Sequence, residues 1–356
     1  MKPRLAARPS LLLVLLACLS ACGAHNPYYD PARRHHTPEG FRNNYPMQAP
    51  SRSDTLRWQW ERWRDGLPPA PQDLPTPVEP DLAALAHPGP RPAVTWIGHA
   101  TVLLQVAGRN VLTDPQFSER ASPFSFAGPK RAQPPGVPLA SLPHIDLVLI
   151  SHNHYDHLDQ ASLAALARQA GGAPELVVPL GIETWMAEEV PEWPRDRIHR
   201  FDWWDGRAFG ELRTTLVPVQ HWSARGLFDR NETLWGGWVL EAPDFRFFFS
   251  GDLGYSRDVA DIAARFPQGF DFAAIAIGAY EPRWFMHSQH VDPTEAVRVF
   301  RELKVRRALG IHWGTFALTD EPLDQPPRDL AQARAAQGVA ESDFFVLRHG
   351  ETRVLP

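Results

Sequence analysis

Ser151-His152-Asn153-His154-Tyr155-Asp156-His157 follows directly on the apolar run Ile145-Asp146-Leu147-Val148-Leu149-Ile150. Three imidazoles and a carboxylate share six consecutive positions. Imidazole nitrogen and carboxylate oxygen are the ligands a zinc-class ion prefers. One short segment can hardly wrap a single ion with four such groups. It can serve two ions if alternate side chains diverge, which points to a two-metal hydrolytic site.

Working outward, three more ligand-type residues stand in the same context. The apolar run Thr214–Val219 leads to His221, Phe245–Phe249 leads through Ser250-Gly251 to Asp252, and Arg307–Ile311 leads to His312. Strand ends are rigid and converge on one rim of a sandwich. Each residue is weak evidence alone; the shared context gives the set its force. By contrast, His99, His144, His199, His287 and His349 read as structural, and His25, His35, His36 and His87 as solvated.

Short strand-like runs begin at Ala93, among them Val102–Val106, Asn110–Thr113, Glu175–Val178, Leu234–Leu240, Phe272–Ile277 and Phe344–Leu347. Helical patterns fall between later runs, at Gln160–Gln169, Gly181–Glu189, Val259–Phe266, Pro293–Leu303 and Asp329–Gln337. Pro293 suits a first helical turn, with Asp292 as its cap. Strands dominate early and then mix with helices, so the class is α/β, with helices outside two packed sheets.

The 356 residues carry a formal net charge of −5. That balance argues against a nucleic-acid partner, which needs basic phosphate contacts. Both cysteines, Cys18 and Cys22, lie near the N-terminus, so the body has no disulfide and no thiolate ligand.

The first ten residues are basic, and Leu11–Leu19 is an apolar core too short to span a bilayer. Leu19-Ser20-Ala21-Cys22 resembles a bacterial lipobox. That pattern implies a signal peptide over 1–21, lipidation of Cys22, and residence in the bacterial cell envelope on the outer membrane, facing the periplasm. Residues 22–92 read as a tether, a short amphipathic helix and a Pro-rich linker. The helix carries Leu56, Trp60, Trp63 and Leu67 at helical spacing; packing on the body is the preferred reading, contact with lipid the other. Residues 93–356 read as the catalytic domain.

The His152-x-His154-x-Asp156-His157 cluster with His221, Asp252 and His312 resembles the metallo-β-lactamase superfamily. That fold is an αββα sandwich of two packed mixed sheets. Longer stretches resemble a narrower family, the N-acylphosphatidylethanolamine-hydrolysing phospholipases D. They are Trp96-Ile97-Gly98-His99-Ala100-Thr101, Leu112-Thr113-Asp114-Pro115, Gly128-Pro129-Lys130-Arg131, Gly278–Met286, Gln289–Pro293 and Ile311–Leu318. The resemblance implies two zinc ions per subunit, another divalent metal being possible. His152, His154 and His221 would hold one, Asp156, His157 and His312 the other, with Asp252 bridging. It implies that Asp114 orients ligands, that Tyr155 and His290 contact substrate, and that Asp252 and His290 act in catalysis. The implied reaction turns N-acylphosphatidylethanolamine, or a related lipid, into phosphatidic acid and an N-acylethanolamine by metal-activated hydroxide. Its partners would be a phospholipid and, through lipidated Cys22, a membrane surface, with a homodimer possible. Tyr280, Trp284 and Phe285 are candidates for an acyl groove or for core packing. Three rivals stand. One is another hydrolase on this site, such as a lactonase, a small-molecule phosphodiesterase or an amidase. A diiron oxidoreductase is the second, disfavoured by His154 where such relatives carry a carboxylate. The third is a non-catalytic envelope lipoprotein, disfavoured by the complete ligand set.

Overall fold

The computed structural model describes residues 26–356 apart from Leu67 and Pro69. The signal segment, Cys22 and His25 lie outside the described residues. Near the N-terminus, β1 (His36–Thr37) and β2 (Gly40–Phe41) form a small hairpin. The first large sheet holds β3 (Ala93–Gly98), β4 (Thr101–Val106), β5 (Arg109–Thr113), β6 (Leu147–Leu149), β7 (Glu175–Pro179) and β8 (Ile198–Phe201). The second holds β9 (Gly206–Phe209), β10 (Leu212–Val217), β11 (Gly237–Ala242), β12 (Phe245–Phe249), β13 (Phe270–Ala276), β14 (Val305–Ile311) and β15 (Phe344–Phe345). The C-terminal β16 (Thr352–Val354) returns to pair with β3. The orders are β16-β3-β4-β5-β6-β7-β8 and β15-β14-β13-β12-β11-β10-β9.

Local chemistry explains the pairing. β4 and β5 are joined by Ala107-Gly108 at φ 50° and 70°, the turn that matches an antiparallel hairpin's twist. From β5 to β8, and from β12 to β15, neighbours are parallel. Most of these crossovers run through a helix, such as Gln160–Ala167, Ile182–Glu189, Asp258–Arg265, Pro293–Glu302 or Gln325–Gln337. Alternation sets the faces. Val102, Leu104, Leu147 and Leu149 pack between the sheets with Trp238 and Phe249. Leu103, Val148 and Ile150 point the other way, against Leu163, Leu166, Ile182 and Met186 of the covering helices. Each such buried side chain contributes about 1.5–3 kcal/mol. The two faces make an α/β sandwich of two mixed sheets with helices outside, the expected class. Asp292 caps the helix Pro293–Glu302 in a reciprocal box with Glu295. The edge strands β8, β9 and β16 had no clear sequence signal; they are short, and β8 and β9 carry exposed arginines.

The N-terminal region departs from the tether reading. From Asn26 onward it lies on the body. Phe41 enters the inter-sheet core, and Tyr28 donates to Glu183 at 2.7 Å. His35 and His36, expected in solvent, are buried and clamp the two oxygens of Asp202 at 2.6 and 3.0 Å. This packing works through polar partners rather than an apolar stripe, so hydrophobic periodicity could not reveal it. The next helix spans Arg52–Asp65, capped by Ser51 and Asp54. Its expected stripe does not face the body: Leu56, Trp60 and Trp63 are 71%, 53% and 82% exposed. Trp58 packs instead, stacked on Phe285 at 4.9 Å and donating to Asp320 at 2.8 Å. Arg62 adds a 3.3 Å ion pair to the same aspartate, which turns this face inward.

Replacing Asp202 with Ala strips both imidazoles of their partner, at a cost of about 1–3 kcal/mol. Limited proteolysis is expected to cut within residues 26–50 of Asp202→Ala well before the parent chain. Equal protection in both would contradict the clamp.

Candidate metal centre

The loops after β6, β10, β12 and β14 converge at one edge of the sandwich. Asp252 stands in the middle. Its Oδ1 lies 3.1 Å from His312 Nε2; its Oδ2 lies 3.2 Å from His157 Nε2, 3.7 Å from His221 Nε2 and 3.8 Å from His152 Nε2. Asp156 Oδ2 is 3.4 Å from both His157 Nε2 and His312 Nε2. On the other side, the ligand atoms of His152, His154, His221 and Asp252 lie within 4.8 Å of one another. Atoms around a tetrahedral zinc with ~2.0–2.1 Å bonds sit about 3.3 Å apart, close to the spacing about Asp156, His157 and His312.

Hydrogen bonds select the imidazole lone pairs. His157 Nδ1 donates to Asp114 at 2.7 Å, so its bare Nε2 faces the carboxylates. His221 Nδ1 donates to the Gln289 carbonyl at 3.0 Å and leaves Nε2 bare. His221 Nε2, His154 Nε2 and Asp252 Oδ1 are buried without a hydrogen-bond partner among the described residues. Buried lone pairs aimed at carboxylate oxygen call for a cation between them. The donor set therefore fits metal ions. Burial pushes the Asp252 carboxyl up, but the His157 and His312 imidazoles outweigh it and hold it well below the usual range. Burial pushes His152 and His221 well below the usual imidazole range, which keeps both available as neutral ligands.

The frame behind the centre is tightly held. Asp114 follows β5 and is fully buried. It accepts from the Ser151 N–H at 2.7 Å and the Ser151 hydroxyl at 2.6 Å, as well as from His157. Gly251 adopts φ +53°, and a Cβ there would stand 2.6 Å from Ser151 Cβ, so the Asp252 loop reaches its place only with glycine. Arg225 donates to the Asn153 and Leu158 carbonyls at 2.8 and 2.9 Å and braces the histidine-rich loop.

His290 joins the site: its ligand atom lies within 4.8 Å of those of Asp252 and His312. Phe285 lines the same cavity, of about 310 Å³, beside Met286 and Trp58. Tyr280 does not; it is buried with its hydroxyl on Asp329. Trp284 lies at the surface under the Arg57 guanidinium. Tyr155, expected at the substrate, faces away. It lines a neighbouring cleft, donates to the Arg225 carbonyl at 3.1 Å, and lies under that guanidinium at 4.0 Å. The divergence that sends His154 and Asp156 into the cavity turns Tyr155 out of it.

Two residues escaped the sequence reading. His99 is buried, not merely structural: Nε2 lies 2.9 Å from Asp156 Oδ2, and its ring sits 4.0 Å from that of His312. It stands in a turn at φ +52°, without ligand-like neighbours to mark it. Asn43, in the N-terminal segment, grips the backbone of His221 with both ends of its amide, at 2.9 and 3.1 Å. Nothing near Asn43 in sequence signals this. Asp114→Ala is expected to lower metal affinity about 10–100-fold by freeing His157 and Ser151. Metal content after dialysis against a chelator measures it; full retention would contradict the role given to Asp114.

Residues 109–313 match the Beta-lactamase superfamily domain. The chain is 38% identical over 266 residues to N-acyl-phosphatidylethanolamine-hydrolyzing phospholipase D 1 of Caenorhabditis elegans, spanning 72% of this chain and 74% of that protein. It is 32% identical over 242 residues to the mitochondrial enzyme so named in Saccharomyces cerevisiae, covering 66% of this chain and half of the yeast protein. Among solved structures, an isothiocyanate hydrolase from Delia radicum gut bacteria shares the fold at TM-score 0.57 and 20% identity, over 74% of this chain and 99% of that one. The chain thus belongs to the beta-lactamase superfamily, as a metal-dependent hydrolase homologous to N-acyl-phosphatidylethanolamine-hydrolyzing phospholipase D.

Proposed function

We propose that the chain is a two-zinc phosphodiesterase of the phospholipase D type. It would cleave N-acylphosphatidylethanolamine or a closely related lipid to phosphatidic acid and an N-acylethanolamine. The observation that carries this reading is Asp252, whose two oxygens face imidazoles of both ligand groups. The names of the worm and yeast relatives support the substrate class.

His152, His154 and His221 would hold one ion and Asp156, His157 and His312 the other, with Asp252 between. Such a pair, when bound, supplies Lewis-acid polarisation of the phosphoryl group and lowers the pKa of water. The remaining work falls to the chain. Burial pulls the His290 pKa down to about 4, so the imidazole is neutral at pH 7. A neutral His290 donates one N–H to a phosphoryl oxygen. Asp252 stays ionised and accepts a hydrogen bond from the attacking water, which orients it toward phosphorus. Phe285, Met286 and Leu318 line the cavity and offer an apolar wall to the lipid.

A membrane surface is the proposed partner and the bacterial envelope the proposed location, with lipidated Cys22 as anchor. Exposed apolar tips support this. Phe126 and Phe228 are 80% and 90% exposed, and Trp63 lies on a helix with Arg57, Arg62 and Arg64. Aromatic and arginine side chains together suit an interface of lipid and water. No helix among the described residues is long and apolar enough to cross a membrane.

Zinc-loaded protein in mixed micelles is expected to release phosphatidic acid and N-acylethanolamine, read by mass spectrometry. Chelation should abolish release, and Asp252→Asn or His312→Ala should lower kcat/KM by about 10³-fold. Intact lipid beside rapid turnover of a lactone or of nitrocefin would replace this reading. A Phe126→Asp/Phe228→Asp double variant is expected to bind anionic vesicles about ten-fold more weakly in sedimentation. Unchanged sedimentation would remove these tips from the membrane contact.

A further inference from the structure

A second cleft, of about 460 Å³, opens between the N-terminal segment and the loop that follows β10. Arg34 and Arg42 enter its wall from the N-terminal segment, and Arg230 from the loop. Asn43 and Asn44 also line it, and no acidic side chain does. The nearby carboxylates Asp258 and Asp261 are bonded to Asn44 and Tyr45. Arg42 is steadied by its Nε donating to the Arg34 carbonyl at 2.8 Å, which leaves the rest of its guanidinium to other acceptors. The Arg230 guanidinium lies over the Trp222 ring at 4.1 Å. Packing pushes its pKa down, and no carboxylate offsets that loss.

The cleft adjoins the metal centre. His221 lines it, and Trp222 and Arg230 line both it and the cavity that holds His154, Asp252 and His290. Trp222 in turn packs its edge on His154 with ring centroids 4.3 Å apart. Three arginines without a carboxylate among them make a cradle for the oxygens of an anion. The metal centre already accounts for one phosphodiester.

We propose that this cleft is an anion subsite that receives a second phosphate-like group of the molecule whose phosphodiester lies at the metal centre. The inference deepens the proposed function and rests on it for the lipid nature of that molecule. The favoured substrates are then the related lipids whose headgroup bears an anion besides the phosphodiester, over N-acylphosphatidylethanolamine itself, whose amide-capped headgroup bears none.

Titration calorimetry on the metal-loaded full chain tests this with soluble probes below their micelle concentrations. Dihexanoyl phosphatidylinositol 4-phosphate carries a phosphomonoester beside its phosphodiester; dihexanoyl phosphatidylinositol lacks it. The extra phosphate is expected to tighten binding about ten-fold or more. Arg34→Gln/Arg42→Gln should erase that gain and leave the affinity for dihexanoyl phosphatidylinositol unchanged. Arg34→Lys/Arg42→Lys should keep most of it, because the charge persists. Thermal melts of each variant check that the fold is intact. Inorganic phosphate is added as competitor. If it removes the gain in an arginine-dependent way, the cleft takes free phosphate as well as a lipid phosphate; if it has no effect, the subsite answers to the lipid alone. Equal affinities for the two lipids in the parent chain, or a gain that survives loss of the arginines, overturns the proposal. Binding needs no turnover. A retained gain with no lipid cleavage defeats only the phospholipase reading, and cleavage without the gain defeats only the subsite.

Discussion

The buried carboxylate of Asp114 is the constraint on which the centre depends. Three donors from one loop, the Ser151 N–H, the Ser151 hydroxyl and His157 Nδ1, end on its two oxygens. Burial pushes this carboxyl up, and the contacts with His157 and Ser151 oppose it. The result is a loop whose first residue and last histidine are fixed relative to β5, the strand that delivers Asp114. Because β5 and β6 are parallel neighbours, that fixed point is also a fixed point of the sheet. The second sheet meets it from across the core. Trp238 donates to the Ile150 carbonyl at 2.8 Å, and Gly236 N–H donates to that of Ser151 at 3.0 Å. The positions of Asp252 and His312 relative to His157 thus follow from how two sheets dock, not from the conformation of any single loop.

Much of this was legible in the chain. The ligand-bearing loop was visible because seven polar residues directly follow an apolar run, and His221, Asp252 and His312 because each ends a strand. Val102–Val106 was visible as a strand, since a short apolar run marks a strand buried on both faces; that Val102 and Leu104 serve one core and Leu103 the other was not. What stayed hidden lacked a period. His99 is defined by a backbone turn and by a partner 57 residues away. The clamp of His35 and His36 on Asp202 spans more than 160 positions. Tyr155 shows the converse: the family resemblance placed it at the substrate, whereas here it lines a neighbouring cleft beside Arg225.

The N-terminal segment changes the outline of the centre. The domain match begins at residue 109, yet Asn43 holds the backbone of His221, and Trp58 closes the cavity against Phe285. Polar chain of this kind is easily taken for a linker, because its packing rests on hydrogen bonds rather than on buried apolar area. It contributes a wall to the cavity and most of the lining of the adjacent basic cleft.

That segment also bears on reach. Asn26, whose amide donates to the Gly40 carbonyl at 2.8 Å, lies four peptide units beyond Cys22. Four extended residues span at most about 14 Å. A lipid on Cys22 would therefore hold the body almost against the bilayer, with little radius to sweep. On that proposed anchoring, its targets would be molecules lying in the same leaflet.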